Sequence, residues 1–166
     1  PWGCALDPSE RYLVVVLRYS DRAIVLDTET DARVAELAVP FYTEGVLWSL
    51  SGERIYFANR WTDSIFWVEV RTAPSFELEE ALPEPLVPPM GLYVGDNPGP
   101  LAWSQDGRRL FVGLVAGAAL SVIDVEGGRL LDADDDPSTT SVGAPEGYSR
   151  IELNSPVGGL AVSGEY

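Results

Sequence analysis

The chain has 166 residues, 46% hydrophobic and 22% charged, the balance of one globular unit or of part of a larger one. Its 26 acidic residues face 11 basic ones, a net charge of −15 that repels phosphate backbones and anionic headgroups and argues against nucleic-acid and membrane-surface binding. His is absent, every basic residue is Arg and Cys4 is the lone thiol, so imidazole and lysine chemistry, Ser/His/Asp triads, intrachain disulfides and Cys-rich zinc or haem-attachment motifs are excluded from these residues.

In chain order, a short apolar strand is expected at Cys4 to Leu6, then a turn of Asp, Pro and Ser, then a β-branched strand at Leu13 to Leu17. A polar hairpin leads to a third strand at Ala23 to Asp27 and a weaker fourth at Arg33 to Ala38. The same order recurs at Val46 to Trp48, Ile55 to Ala58 and Ile65 to Glu69, and again at Leu101 to Trp103, Leu110 to Gly113 and Leu120 to Asp124. The period is 2 throughout, and no segment carries a helical 3.6 repeat.

These segments are copies of one unit. ALDPSERYLVVVLRYSDRAIVLD from Ala5 lies without gaps over LWSLSGERIYFANRWTDSIFWVE from Leu47 and AWSQDGRRLFVGLVAGAALSVID from Ala102, and GGLAVSGEY begins a fourth copy. Four antiparallel strands in about 40 residues, as in WD40-like repeats, is the blade of a β-propeller. The expected fold class is therefore all-β, about three and a half four-stranded antiparallel blades: roughly 1–40, 41–72, 99–131 and the start of a fourth at 155–166. Two inter-blade insertions, 73–98 and 132–154, fall outside the repeat. The first is Pro-rich, an extended loop with one helical turn around Glu77 to Ala81; the second is acidic and returns to strand-like alternation at Ser149 to Leu153.

Propellers close with typically about 4 to 8 blades, so this chain is expected to be part of a longer polypeptide. The implied partners are the remaining blades of that polypeptide or another protein. The longest apolar stretches, such as Leu13 to Leu17, fall far short of the roughly 20 residues needed to cross a bilayer, so membrane insertion is not expected.

AWSQDGRRLFVG with LSVIDVEGGRLL, and SLSGERIYFANRWTDSIFWVE, resemble the YVTN-type β-propeller repeat of surface-layer and lactonase-like propellers. The resemblance covers about three quarters of the chain. It implies the blade fold and an extracytoplasmic setting, periplasmic or secreted. It does not choose among binding, scaffolding, lactonase and haem-linked redox roles, because one fold hosts them all.

Three groups are candidate sites. The hairpin between second and third strands reads Arg18-Tyr19-Ser20-Asp21, then Arg60-Trp61-Thr62-Asp63, and has decayed to Val115-Ala116-Gly117-Ala118 in the third unit. Ser/Thr-Asp turn chemistry explains the recurrence structurally. As a site, Arg18, Tyr19, Arg60 and Trp61 would hold an acidic or planar ligand. Where the chain enters each blade, Trp2, Glu44 and Gly99 are equivalent, with Asn97 just before the third. They read as loop-end polar residues, or, through the lactonase resemblance, Glu44 and Asn97 as two ligands of a divalent cation. Asp132, Asp134 and Asp136 begin like a calcium loop, but Pro137 follows directly and the Gly and terminal Glu of such a loop are out of place, so a solvated loop competes with a calcium site. Trp48, Trp103, Phe57, Phe66, Trp67 and Phe111 are expected to pack between blades, and Cys4 to be a small buried apolar residue.

The functional expectation is a non-catalytic binding or scaffolding propeller using the blade-entry and hairpin face. The alternatives are a lactonase-like hydrolase with a divalent metal at the channel and a propeller module of a haem-linked electron-transfer protein.

Overall fold

The computed structural model describes residues 1–72, 75–78, 91–141 and 146–161. β1 (Cys4–Leu6), β2 (Tyr12–Leu17), β3 (Arg22–Asp27) and β4 (Ala32–Ala38) pair antiparallel in chain order as the first sheet. β5 (Thr43–Trp48), β6 (Arg54–Asn59), β7 (Ser64–Arg71), β8 (Glu77–Leu78) and β9 (Leu92–Tyr93) make the second. β10 (Pro98–Trp103), β11 (Arg109–Leu114), β12 (Ala119–Asp124), β13 (Arg129–Leu131) and β14 (Ile151–Glu152) make the third. The structure is all-β, three blades in an unclosed arc with the beginning of a fourth unit.

Local chemistry repeats with the sequence. At the turn between first and second strands, Asp7 Oδ1 accepts the Tyr12 amide at 2.6 Å, Ser49 Oγ the Arg54 amide at 3.0 Å and Ser104 Oγ the Arg109 amide at 2.9 Å. One side chain thus closes the same turn in each unit. At the opposite end, the four-residue hairpins finish on Asp21, Asp63 and Ala118, all left-handed, with φ of 51°, 52° and 46°.

Packing between blades forms two cores. Val14, Val16 and Val25 meet Ile55, Phe57, Phe66 and Val68 between the first and second blades, and Tyr56, Ala58 and Ile65 meet Leu110, Val112 and Leu114 between the second and third. β6 is therefore buried on both faces, whereas β2 buries only Tyr12, Val14 and Val16 and alternates with half-exposed Leu13, Val15 and Leu17. The indoles also peg the blades together: Trp48 Nε1 donates to Ala5 O at 3.2 Å and Trp103 Nε1 to Trp48 O at 2.6 Å. On the axial side the inner strands converge backbone to backbone. A Cβ on Gly45 would collide with the Gly99 carbonyl oxygen, and one on Gly3 with that of Glu44.

The structure corrects several expectations. The two long segments do not connect finished blades; each interrupts an outer strand. β8 pairs with Val70 and Arg71 at one end of β7 and β9 with Ser64 and Ile65 at the other; likewise β13 pairs with Val122 to Asp124 and β14 with Ala119 and Leu120. An outer strand lies at the blade edge, so a break in it disturbs one ladder and spares the inner strands. Glu77 is in β8 and not in a helical turn, because it pairs with Arg71; residues 79–81 of that expectation lie outside the described residues. The expected strand at Ser149 to Leu153 is reduced to β14. Residues 154–161 form no strand, although Val157 is buried against Gly113, and 162–166 lie outside the described residues. Cys4 is exposed, since it borders the open space where the inner strands converge.

Candidate functional site: the hairpin and blade-entry face

One end of the arc carries the hairpins 18–21, 60–63 and 115–118 together with the chain entering the second and third blades at 39–42 and 94–97. The architecture brings two separately expected groups into one network. Arg18, from the first-blade hairpin, reaches Glu44 at the start of β5, Nη2 to Oε1 at 2.7 Å. Arg60, from the second-blade hairpin, lies on the other oxygen, Nη1 to Oε2 at 3.6 Å, and donates from Nε to Asn97 Oδ1 at 2.6 Å. Asn97 is fixed in turn by its amide, which donates to Asp63 Oδ1 at 2.8 Å. The Glu44 side chain is 7% exposed and that of Arg18 12%, so this is a buried ion cluster joining adjacent blades. Charge more than direction holds its centre: Arg18 Nη2 faces Glu44 Oε1 as an ion pair, and among the described residues neither Glu44 Oε1 nor Arg18 Nε has a well-aligned hydrogen bond.

This geometry does not fit a divalent cation. Both Glu44 oxygens face guanidinium groups and the Asn97 oxygen accepts from one, so a cation there would meet two positive charges. Among the described residues no group of three or more His, Cys, Asp or Glu side chains is arranged to hold a metal. The arginines are equally unlike a free anion clamp, because they share one carboxylate and Arg18 is covered by rings.

Those rings are what the face presents. The Arg18 guanidinium carbon lies 4.4 Å from the Trp2 ring, 4.6 Å from Tyr42 and 5.0 Å from Tyr19. Tyr42 stacks with Trp61 at 6.2 Å, and Phe41 meets Tyr42 edge-on at 4.4 Å. Trp2, Tyr19, Phe41 and Trp61 are 59%, 71%, 45% and 69% exposed.

Asn59, which the sequence reading passed over, holds this surface together. It is fully buried at the end of β6, and its Nδ2 donates to Pro40 O, Phe41 O and Thr43 Oγ1 at 3.1, 2.8 and 2.9 Å. Its Oδ1 accepts the Trp61 and Thr62 amides at 3.0 and 2.8 Å. One amide therefore ties the loop bearing Phe41 to the hairpin bearing Trp61. The signal was present in the sequence, since Leu17 and Leu114 occupy the equivalent positions.

No protein-family model matches the chain. No curated protein matches it either. Solved structures do. A functionally unknown protein from Desulfotomaculum acetoxidans aligns at TM-score 0.71 and 13% identity over 96% of this chain and 44% of its own. The β-propeller domain of Cps50 (Swd1) from Myceliophteria thermophila aligns at 0.56 and 13% over 78% and 41%. The periplasmic gluconolactonase PpgL of Pseudomonas aeruginosa aligns at 0.59 and 16% over 93% and 40%. The chain folds as part of a β-propeller. It spans about two fifths of the length of these structures, and at such identities the likeness is one of fold.

Two further features of the propeller bear on function. Where the inner strands converge lies an open cleft of about 470 Å³, bordered by Trp2, Glu44, Arg60, Gly99, Val115 and Leu160. The acidic segment stands apart from it. Asp132 Oδ1 accepts the Ser149 amide and hydroxyl at 2.8 and 2.6 Å, Asp134 accepts the Thr139 hydroxyl at 2.8 Å, and Asp136 Oδ1 accepts the Ser138 amide and hydroxyl at 2.9 and 2.7 Å. The Asp134 and Asp136 bonds close local turns, and the Asp132 bonds tie the start of the segment to Ser149 near its end. The Asp136 amide and the Thr139 hydroxyl hold Asp134 below the ordinary aspartate range, and the Ser138 hydroxyl and amide do the same for Asp136.

Proposed function

We propose that this propeller segment is a non-catalytic recognition module of YVTN type, engaging its ligand or partner on the hairpin and blade-entry face. The observation that carries the reading is the run of exposed aromatic side chains, Trp2, Tyr19, Phe41 and Trp61, set over a buried ion cluster. Trp, Tyr and Arg dominate binding hot spots, and large exposed apolar patches mark interaction surfaces. A ring that served packing alone would be buried, as Phe57 and Trp48 are.

The half-exposed apolar side of β2 and exposed Leu6 are suited to a further blade of the same polypeptide, which would cover them as the second blade covers Val14 and Val16. A periplasmic or secreted setting agrees with the repeat type and with the named location of PpgL. A metal-dependent lactonase is the second reading, favoured by the likeness to that same protein. On this reading the ligands would come from residues other than Glu44 and Asn97.

The test uses fluorotryptophan-labelled protein, whose five Trp residues report separately. In a screen of short peptides and small metabolites by fluorine NMR, ligands are expected to shift Trp2 and Trp61 and leave the inter-blade pegs Trp48 and Trp103 unmoved. Binding that shifts only Trp67 or the pegs contradicts the reading.

A further inference from the structure

The same face has a definite electrostatic character. Its loops and strand starts carry Arg18, Arg22 and Arg60, with the Arg150 guanidinium beside Gly95, against Asp21, Glu44, Asp63, Asp96 and the Glu36 that Arg22 meets, on a chain of net charge −15. Arg18 and Arg60 are engaged with Glu44, Arg60 also with Asn97, Arg22 with Glu36, and Arg150 is buried, so little cationic capacity is presented outward. What is presented is aromatic. The negative faces of Trp and Tyr rings attract guanidinium and ammonium groups, and three rings of this face already surround the guanidinium of Arg18. Trp61 is backed by its stack on Tyr42 and open on its outer side. A cationic group arriving from solvent would meet rings at short range and an acidic field at long range.

We propose that this face docks a basic segment of a partner protein, its Arg or Lys side chains laid on Trp61, Tyr19, Phe41 and Trp2. The proposal rests on the recognition reading above and adds the chemistry of the partner. Association is guided by charge, so its rate and strength fall with ionic strength. Specificity comes from the rings, so it depends on Trp61 and Tyr19.

The experiment titrates the fluorotryptophan-labelled chain with blocked Gly-Arg, Gly-Glu and Gly-Gln repeat peptides at low and at physiological ionic strength. The expected result is saturable binding of the Gly-Arg peptide with shifts at Trp2 and Trp61, weaker at higher salt. Trp61→Ala and Tyr19→Ala are each expected to weaken it by about fivefold or more, whereas Trp67→Ala leaves it unchanged. Unchanged affinity in Trp61→Ala and Tyr19→Ala, with cooperative melting retained, overturns the proposal, since attraction is then to net charge alone. Preference for the Gly-Glu or Gly-Gln peptide with shifts at Trp61 overturns the cationic partner while leaving the recognition reading intact. Failure of all three peptides to move Trp2 or Trp61 overturns the proposal. Only the further failure of the wider ligand screen removes the recognition reading.

Discussion

The second and third hairpins share a backbone and differ in everything they present. In the second, the Arg60 amide donates to Tyr42 O at 3.0 Å; in the third, the Val115 amide donates to Asn97 O, also at 3.0 Å. Asp63 and Ala118 take the same left-handed turn position. Yet 60–63 carries an arginine tied into the ion cluster and an exposed indole, and 115–118 carries only Val, Ala and Gly. The turn therefore does not require Arg, an aromatic or Asp. Because the third hairpin folds without them, their presence in the first two is better explained by what they hold and show.

The largest effect is expected where that contrast is anchored. Glu44→Ala leaves Arg18 and Arg60 facing each other without their carboxylate and should cost about 3 kcal/mol, read by urea denaturation. The equivalent position in the third blade is Gly99, which no arginine approaches from its hairpin. Asn59→Leu installs the residue type found at positions 17 and 114. It should still cost about 2 kcal/mol, because it strands the Pro40 and Phe41 carbonyls and the Trp61 and Thr62 amides. A cost near zero would mean that the face does not depend on Asn59.

Acid should act next, and unevenly. At Asp27 desolvation pushes the pKa up, but the hydrogen bond from Arg11 and the amides of Glu29 and Thr30 outweigh it and leave the group below its ordinary value. Asp134 and Asp136 are lowered by their turn bonds. A depressed carboxylate stabilises the fold above its unfolded pKa and loses that contribution as pH falls through the folded value. Stability should therefore hold near neutrality and decline below about pH 4. Amide exchange followed by NMR should show 27–30 and 132–139 losing protection with acid. Constant protection there would contradict these assignments. The smallest effect on stability is expected at the rings themselves. Trp61→Ala and Tyr19→Ala should change it by no more than about 0.5 kcal/mol. Replacing 115–118 by Arg-Trp-Thr-Asp should likewise be tolerated within about 0.5 kcal/mol, because the backbone is already of the right form.

The blade architecture was legible because the repeats align without gaps, and alternation such as that of Tyr12 to Leu17 maps directly onto a buried and a half-exposed side. The candidate residues were legible individually. Their union was not, since Arg18 and Glu44, or Arg60 and Asn97, meet only when consecutive blades stack around an axis. The sequence pattern offered the arginines and the rings beside them as one site, whereas burial and ion pairing tie Arg18 and Arg60 into support and leave Tyr19 and Trp61 outward. Asn59 escaped notice because a polar residue ending an apolar strand resembles the start of a turn until its bonds are seen. The interrupted outer strands escaped because β8 and β9 are two residues each, too short for any period to register, and because the alternation at 149–153, which contains β14, does not show which strand it pairs with.

The face divides into a buried cluster that holds it and exposed rings, on our proposal the part that a partner meets. Thermal unfolding of Glu44→Ala beside Trp61→Ala tests that division most directly. The predicted result is a fall in Tm of about 6 °C or more for Glu44→Ala and of less than about 2 °C for Trp61→Ala. The reverse order, with Trp61→Ala the more damaging, would show that the indole is part of the packing and contradict the account.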